Sequence, residues 1–590
     1  MHHDTPNTIS RKLECAALHR RSGRFLLFLG IQLALLLILL LSNQIWYILN
    51  DDVIMLDIAS GGYGAPSPYI VNIHILLGYL YQFLFTLFPA TNWVTISYLL
   101  AYVGSFIALD WVFSSEKYNF PLSLAVLSSC LIFFLNHFTF TVVAYCACIA
   151  GLLFLTDAAR EEKMRLSQWG IGLGLVTLGV LFRGEVVKSL MIVFAGEILW
   201  NLKGKHRARY IGIGILCIGI MYLGINSNMN IETLNPLQKQ GLAWGEIRSA
   251  ALDCQMVPYD AEKFSAYGLS EEQHFAMYNN FYFDRSHLTE QNFRDLIKLN
   301  SPANQYNFDL MSYPWSVKMR VWGEPVFSHL YLLLFAAVTL FVLMQSLLEN
   351  KKRETHAFAI LLTTVLADML FYFIRRAPYR VLMPNFVFAS LLLLLDCKPS
   401  NLVQSWKEKL QPLAVHLGRL CILFLVFPIM VLYQSYNAAD YLPSYRRPES
   451  VHLENFQTVI SYLSEHNDNL YLAGDPYVFG LNTCRSVWDL TTNHGFWNVA
   501  GNWETYTVPY YQLMKEYNVQ NPESLLLEAL ENEHIKFLTS LGDDFPESRA
   551  FILTWLKHFY NIEAKFTKIE DVVKTPYRTW SIYCIREVEH

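Results

Sequence analysis

Two adjacent carboxylates, Asp51 and Asp52, are the residues of this chain best suited to catalysis. They follow the first long apolar run, and a carboxylate can take the proton from an attacking hydroxyl group. Adjacent carboxylates repel each other, which makes one of them a better base near neutral pH. One could instead bind acceptor hydroxyls or a divalent cation while the other abstracts the proton. Acidic residues are also common where a helix leaves a membrane, so a role in solvation alone stays open.

Cationic side chains beside apolar segments form a second group of candidates, for binding phosphate. The arginine fork matches phosphate oxygens, and fixed cations stabilise the negative charge that grows on a leaving phosphate. Ionisable groups beside lipid are costly unless they serve a purpose. The alternative is that these cations pair with an acidic neighbour or with lipid headgroups. The donor-phosphate candidates are Arg375, Arg376 and Arg380 in IRRAPYRVLMP, and Arg183 and Lys188 in FRGEVVK.

Three further residues, His74, Tyr379 and Glu185, are candidates for substrate binding. His74 and Tyr379 could equally anchor the membrane interface, and Glu185 could pair with Lys188. We expect the other acidic residues near the apolar segments to be structural: Asp57 as a surface or capping residue, Asp368 paired with an arginine, and Asp110 and Asp157 near helix ends.

The carboxyl-terminal part of the chain carries a weaker signal. Aromatic and acidic loop residues are typical of sugar-binding sites, although loop packing would explain them equally well. Cys484 and Cys584 also lie in this part and could pair, but their spacing cannot show it. The loop candidates are Asp475 in GDPYVFG, and Asp489, His494, Trp497 and Trp503 in DLTTNHGFWNVAGNW.

The composition excludes an ordinary soluble enzyme. Hydrophobic residues make up 53% of the 590 residues and charged residues only 16%, with a mean hydropathy of +0.25. These values indicate a polytopic membrane protein with some water-exposed mass. The net charge is only −5, and the sequence contains no basic tract. We therefore expect no nucleic-acid partner. The cysteines show no zinc-type spacing. We expect no certain cofactor, although Asp51 and Asp52 could hold Mg²⁺ or Mn²⁺.

Positive charge predicts the orientation of the chain in the membrane. Residues 1–24 are basic and precede an apolar run that we interpret as a retained anchor, so the amino terminus should be cytoplasmic. If segment 69–88 crossed the bilayer, three later basic loops would face outward. We therefore expect 69–88 to lie along the outer interface as a juxtamembrane helix. About eleven spans result: 25–48, 93–113, 119–136, 139–156, 169–183, 186–201, 210–226, 327–348, 357–374, 381–396 and 413–436.

The predicted fold is therefore an α-helical polytopic membrane domain at 25–436 with an extracytoplasmic α/β domain at 437–590. A large outer loop, 227–326, should fold over the membrane face, because it is too aromatic for a disordered linker. Alternating helical and strand patterns predict the α/β domain. Its predicted helices are 451–466, 522–533 and 546–560, and its predicted strands lie in NLYLAGD, HIKFLTSL and WSIYCIREV.

Three stretches together resemble the integral-membrane glycosyltransferases of the GT-C fold, which include protein mannosyltransferases and aminoarabinose transferases. They are the acidic pair after the first span, the proline-led PSPYIVNIHILLGYLYQFLF followed by Asn92-Trp93, and the turn RRAPYRVLMP. The stretch NDDVIMLDIASGGYGAPSPYIVNIHILLGYL is also similar to a set of uncharacterised bacterial multispanning proteins.

The resemblance implies transfer of a sugar from a polyprenyl-phosphate carrier, with inversion at the anomeric carbon, on the outer face of the plasma membrane. The acceptor would be a cell-envelope glycan, lipid or polymer. Asp51 or Asp52 would be the base, and the five cations would be candidates for the carrier phosphate. All these groups would meet in one recess. Ala65-Pro66-Ser67-Pro68 stands where relatives often have a histidine or lysine before paired prolines, and a WWD-type triplet is missing. Transfer of a whole glycan to asparagine is therefore not expected.

Two other classes of function remain open. A transporter or flippase for a lipid-linked sugar would need interrupted helices and internal repeats, and neither is seen in the sequence. A non-catalytic membrane protein could bind polysaccharide through its outer domain. A lateral cavity at the outer leaflet would support an enzyme, whereas a polar path through the bilayer would support transport.

Overall fold

The computed structural model describes most of the chain outside two long stretches. The described residues are 6–42, 45–48, 50–162, 165–252, 257–279, 281–282, 284–304, 338–339, 342, 353–373, 379–397, 451–475, 478, 481, 486–490, 496–497, 503–574 and 578–588.

The described part is mostly helical, with one small sheet near the carboxyl end. The helices are α1 (Pro6–Leu41), α2 (Asn50–Ser60), α3 (Ile75–Leu87), α4 (Trp93–Phe113), α5 (Phe120–Asn136), α6 (Phe140–Arg160), α7 (Leu166–Arg183), α8 (Val186–Asn201), α9 (Arg207–Glu232), α10 (Pro236–Leu252), α11 (Ala261–Ser265), α12 (Glu271–Tyr278), α13 (Glu290–Asn304), α14 (Arg353–Phe373), α15 (Tyr379–Leu394), α16 (Val451–Glu465), α17 (Val508–Glu516), α18 (Leu525–Glu531), α19 (Phe545–Ser548) and α20 (Ala550–Tyr560). The strands are β1 (Leu470–Ala473), β2 (Phe496–Trp497), β3 (Ile535–Thr539), β4 (Ala564–Lys574) and β5 (Thr579–Glu587).

Five helices of the described part are long and apolar enough to cross a bilayer. Four shorter apolar helices accompany them, in α3, α5, α14 and α15. The predicted spans 327–348 and 413–436 lie outside the described residues, apart from helical residues at 338–339 and 342. The five candidates are Arg20–Leu41, Trp93–Phe113, Phe140–Arg160, Leu166–Arg183 and Arg207–Glu232.

The first span ends earlier than the sequence predicts. Helix α1 stops at Leu41, whereas the apolar run was expected to continue as one span to residue 48. Asp51 and Asp52 therefore do not lie at the end of this helix. They begin a separate short helix, α2.

Helix α3 is too short to cross a membrane. Its 13 residues cover roughly 20 Å, whereas the hydrocarbon core is about 30 Å thick. Its exposed face is apolar and includes Leu76, Leu80 and Phe83. This length and this face fit the predicted helix along a membrane interface, although the helix starts at Ile75 and not at residue 69.

The chain divides into two compact units, which are described separately below. The helical unit comprises residues 1–46, 96–226 and 309–438, and the loop-and-tail unit comprises residues 47–95, 227–308 and 439–590. The sequence-based boundaries placed the first loop and the long loop in the membrane domain. In the structure these two segments belong to the same unit as the tail.

Small residues allow close packing inside the helical unit. A Cβ atom on Gly151 of α6 would lie 2.5 Å from the carbonyl oxygen of Gly172 in α7, so only glycine fits there. Cys146 and Cys148 of α6 are buried in the same region. Close backbone contact between small residues is typical of helices that associate in membranes.

Four charged side chains close a ring at one end of these helices, which we call the Arg160 ring. Arg160 donates hydrogen bonds to Glu197 Oε1 and Asp396 Oδ1, both at 3.0 Å. His356 Nε2 lies 2.8 Å from Glu197 Oε2, and His356 Nδ1 lies 2.5 Å from Asp396 Oδ2. Because both ring nitrogens face carboxylate oxygens, both carry a proton. The ring therefore balances two cations with two anions and ties α6, α8, α14 and the end of α15 together.

Replacing Glu197 by Gln should destabilise the helical unit strongly. The variant leaves Arg160 and His356 buried with one anion fewer, and breaking a buried ion pair typically costs on the order of 3–5 kcal/mol. Denaturant unfolding of the purified protein in detergent measures this loss. Glu185→Gln is the matched control, since Glu185 is exposed at the start of the same helix and pairs with exposed Lys188. Equal effects of the two substitutions would contradict a structural role for the ring.

The tail contains the predicted α/β arrangement. The sheet order is β2-β1-β3-β5-β4, in which β1 pairs in parallel with β2 and β3, and β5 pairs antiparallel with β3 and β4. Helix α16 packs its apolar side, including Phe456 and Val459, against β1 and β5 residues. The predicted strands in NLYLAGD, HIKFLTSL and WSIYCIREV are confirmed by β1, β3 and β5. Strand β4 and helix α17 were not predicted.

The long loop packs onto the tail through buried polar contacts. Asp284 Oδ2 accepts hydrogen bonds from Trp555 Nε1 at 2.9 Å and from the Tyr560 hydroxyl at 2.6 Å. The Arg285 amide donates to the Glu523 carbonyl at 2.8 Å. These contacts show that residues 227–304 are folded with the tail, as expected for an aromatic-rich loop.

Candidate functional site

Asp51 and Asp52 lie in the first turn of α2. Carboxylates there interact favourably with the positive end of the helix dipole, which accounts for their place in the fold. Successive residues of a helix point about 100° apart, so the two side chains meet different surroundings. Asp51 is half-buried, whereas Asp52 is fully buried.

Asp51 contacts a tryptophan from the tail. Trp503 Nε1 donates a hydrogen bond of 3.2 Å to Asp51 Oδ1, across 452 residues of sequence. Among the described residues, no lysine or arginine forms an ion pair with Asp51. The carboxylate is therefore positioned by a neutral donor and keeps its second oxygen for another partner. Sequence analysis named both residues but had no signal to bring them together.

Asp52 belongs to a buried polar region that joins the first loop to the tail. Burial raises the pKa of Tyr47, a hydrogen bond with Thr95 opposes this, and the charge of Asp52 raises the pKa further. The Tyr47 hydroxyl lies 2.6 Å from Thr95 Oγ1. Asn92 Nδ2 and Thr95 Oγ1 donate to the Val487 carbonyl at 2.8 and 2.5 Å. Asp52 therefore lies beside the buried contacts that connect the first loop to the tail.

The chain around Trp503 is held in an uncommon conformation. Tyr506 has a φ of +62°, the left-handed region that disfavours residues with a Cβ atom. Its hydroxyl donates to the Tyr282 carbonyl at 2.8 Å, and a Cβ on Gly241 would lie 2.6 Å from the Tyr506 carbonyl oxygen. These contacts fix the turn that presents Trp503 to Asp51.

Glu504 and Tyr63 lie in the same region and were not predicted from the sequence. Glu504 is fully buried, and Tyr63 is buried as well. Burial raises the pKa of Tyr63 well above its ordinary value, and the charges of Glu504 and Asp57 add to the effect. The only sequence signal was that Glu504 follows Trp503 directly.

His74 caps α3 and is buried. Its Nδ1 accepts a hydrogen bond from the Leu76 amide at 3.2 Å, and its Nε2 lies 3.0 Å from Ser227 Oγ. Both ring nitrogens are thus engaged inside the protein, which accounts for the residue without a substrate. Asp57 lies within α2, where its carbonyl accepts hydrogen bonds from Gly61 and Gly62.

The candidate cations belong to the helical unit. Arg183 ends α7, donates to Thr141 Oγ1 at 2.6 Å and lies 5.1 Å from the Phe140 ring centre. Lys188 and Glu185 pair with each other at the surface, so Glu185 neutralises the lysine. Arg380 lies in the first turn of α15. Whether these cations share one recess with Asp51 stays a prediction.

Four residues named from the sequence lie outside the described part of the chain: Arg375, Arg376, Cys484 and His494. Tyr379 begins α15 and Trp497 ends β2, and only their backbones are described.

The remaining tail candidates have local structural contacts. Asp475 is buried at the end of β1 and accepts hydrogen bonds from Thr539 Oγ1 at 2.8 Å and from the Ser540 amide at 2.6 Å. The Asp489 amide donates to the Ser486 carbonyl at 3.0 Å. Cys584 lies buried in β5 with its Sγ 3.6 Å from the Thr567 carbonyl. Among the tail candidates whose side chains are described, Trp503 is the one that the structure brings to Asp51.

Two buried acidic residues of the helical unit, Asp157 and Asp368, have hydrogen-bond partners on neighbouring parts of the chain. Asp157 accepts from Lys117 at 2.6 Å and from the Tyr118 hydroxyl, which fits the structural role expected for it. Asp368 was expected to pair with an arginine. Its Oδ1 instead accepts a hydrogen bond of 2.8 Å from Asn385 Nδ2, because the two residues face each other across α14 and α15.

No group of three or more histidine, cysteine, aspartate or glutamate side chains suited to hold a metal ion occurs among the described residues. Asp51 and Asp52 alone could supply two oxygen ligands. Because Asp52 is fully buried, the pair does not present two open carboxylates to one ion.

A comparison with protein-family models gives no match, and comparisons with curated proteins and with solved structures give none either.

Substitution of the two aspartates by alanine should separate their structural roles. Asp52→Ala removes a fully buried polar group and leaves its surroundings unsatisfied, which costs about 1–3 kcal/mol. Asp51→Ala removes one hydrogen bond at a half-buried position and should cost clearly less. Denaturant unfolding of the two purified variants measures the difference. A larger loss for Asp51→Ala would show that the burial of the two side chains has been assigned the wrong way round.

Proposed function

We propose that this protein is an inverting glycosyltransferase that moves a sugar from a polyprenyl-phosphate carrier to a hydroxyl of a cell-envelope acceptor. The observation that carries the proposal is the Asp51 carboxylate. It is half-buried, is held by the Trp503 indole, and forms no ion pair with a described lysine or arginine. A general base needs such an accessible and positioned carboxylate. An adjacent tryptophan also suits a site that receives a sugar.

In the proposed reaction Asp51 takes the proton of the acceptor hydroxyl as its oxygen attacks the anomeric carbon. The bond between the anomeric carbon and the phosphate oxygen breaks, and the leaving phosphate keeps the electron pair. Attack from the face opposite the phosphate inverts the anomeric carbon. A cation beside the leaving phosphate would stabilise its growing negative charge, which is the role that the sequence predicts for the candidate arginines.

We propose further that residues 47–95, 227–308 and the tail lie outside the cell. Segments that fold into one unit share one side of the membrane, so an even number of crossings must separate them. Six helices, α4–α9, connect the first loop to the long loop. Helix α3 is too short to cross the membrane, so it does not change this even number of crossings. Basic residues in the first half of α1, before its apolar part, favour a cytoplasmic amino terminus.

The catalytic proposal predicts different losses for Asp51→Asn and Asp52→Asn. Asp51→Asn removes the base and should lower sugar transfer at least 100-fold, the usual scale for a general base. Asp52→Asn keeps the shape of a buried group and should retain more activity. Analysis of envelope glycans from a deletion strain that carries each variant, with protein amounts measured in parallel, tests this difference. Wild-type glycan levels with stable Asp51→Asn protein would refute the proposal.

Trp503→Phe isolates the contribution of the indole hydrogen bond. The variant keeps an aromatic ring but removes the donor to Asp51, and a hydrogen bond to a charged group is worth about 1.5–3 kcal/mol. We expect transfer to fall about tenfold or more. The same glycan analysis measures it, with Trp488→Phe, an exposed tryptophan of the tail, as the control. If the Trp503 and Trp488 variants behave alike, the indole does not position the base.

A further inference from the structure

A layer of polar side chains lies inside the helical unit at the end opposite the Arg160 ring, and we call it the Asp368 layer. Five helices contribute to it, each near the end where Arg183 is found. Tyr145 lies five residues after the start of α6, Ser189 three after the start of α8, Asp368 five before the end of α14 and Asn385 six after the start of α15. At 1.5 Å per residue, these groups lie roughly 5–9 Å inside the helix ends. The layer comprises Thr141, Tyr145, Arg183, Ser189, Asp368 and Asn385.

Direct contacts connect the members in pairs. Asn385 Nδ2 donates to Asp368 Oδ1 at 2.8 Å, and the Tyr145 hydroxyl lies 2.9 Å from Ser189 Oγ. Arg183 Nη1 donates to Thr141 Oγ1, as described above. Tyr145 interacts electrostatically with both Arg183 and Asp368, which brings the pairs into one neighbourhood.

The Asp368 layer differs from the Arg160 ring because it contains a buried acceptor without a described hydrogen-bond partner. Asn385 is fully buried, yet its Oδ1 has no hydrogen-bond partner among the described residues. Asp368 is buried as well and forms no ion pair with a described lysine, arginine or histidine. A buried acceptor without a donor costs about 1–3 kcal/mol. Polar residues within membrane segments usually line a path or a binding site for a substrate.

The backbone of α15 is also unusual at this depth. Pro384 lies within the helix, directly before Asn385. Proline has no amide hydrogen to donate to the preceding turn, so the helix is weakened or bent there. The layer thus combines a buried acceptor without a described partner, a nearby guanidinium and a proline within a helix.

We propose that the Asp368 layer binds the hydroxyl groups of the sugar on a membrane lipid. Hydroxyl donors of the sugar fill the Asn385 Oδ1 and the second oxygen of Asp368, while Arg183 at the helix end binds the adjacent phosphate. Naming a polyprenyl-phosphate sugar as this lipid rests on the proposed function. The layer itself is a feature of the helical unit alone.

The test compares binding of two lipids to the full-length protein in nanodiscs. The probes are polyprenyl phosphate and polyprenyl-phosphate hexose, and Asp368→Asn and Asn385→Leu are the variants. Both variants should weaken binding of the sugar-bearing lipid about tenfold and leave binding of polyprenyl phosphate within about twofold, since each loses a hydrogen bond to a hydroxyl. Asp110→Asn is the matched control, because Asp110 is a fully buried carboxylate in α4. It should leave both affinities unchanged.

Equal affinity of wild type and both folded variants for the hexose lipid would overturn the proposal and leave the proposed function standing. An equal loss of affinity for both lipids would also overturn the proposal, since the substitutions would then have changed the fold or the binding of the phosphate and not the binding of the sugar. Failure of the wild type to bind either lipid would overturn the proposed function and this site together. Size-exclusion profiles and unfolding temperatures show which variants are folded. If Asp368→Asn does not fold, Asn385→Leu alone tests the proposal.

Discussion

Three segments that are far apart in sequence fold as a single unit, and the proposed site depends on this constraint. Residues 47–95 bind the tail through the Val487 carbonyl and through Trp503. The long loop binds the tail through Asp284. In the proposed topology all three segments emerge on the same side of the membrane, which is what these contacts require. The position of Asp51 beside Trp503 follows from this arrangement.

The helical unit shows two ways of keeping charge inside an apolar environment. In the Arg160 ring every charged group meets an opposite charge, which offsets much of the cost of burial and fixes four helix ends. In the Asp368 layer the buried Asn385 Oδ1 has no hydrogen-bond partner among the described residues. The charges of the Arg160 ring are all paired without a ligand, whereas a ligand hydroxyl would supply the missing hydrogen bond in the Asp368 layer. The difference explains why a binding role is proposed for one end of the unit and a structural role for the other.

Sequence patterns predicted the helices well because long apolar runs leave few alternatives. The helices α4–α8 coincide with predicted spans to within a few residues, and β1, β3 and β5 with predicted strands. Strand β4 was missed because AKFTKIEDVVK is charged and mostly exposed, so it lacks the apolar signal of a buried strand. The break after Leu41 was missed because the polar Ser42-Asn43-Gln44 is followed by another apolar stretch, IWYI, and the two apolar stretches were taken as one run.

The candidate site was predicted in part. Asp51 and Trp503 were each singled out by residue type, but their contact spans 452 residues and depends on tertiary packing. The different roles of Asp51 and Asp52 follow from the burial of their side chains. The sequence cannot show this difference, because the two residues are identical and adjacent. Asp368 was assigned to an arginine because Arg375 is near in sequence, whereas its partner Asn385 lies on the next helix. Local sequence identifies groups able to do chemistry, and packing decides which of them meet.

The shared side of the three segments is tested most directly by labelling of single cysteines in intact cells. Ala65→Cys, Tyr278→Cys and Ile569→Cys place one exposed thiol in the first loop, the long loop and the tail of a protein otherwise free of cysteine. A membrane-impermeant maleimide should label all three without permeabilisation. Labelling of any one of them only after the membrane is opened would contradict the account.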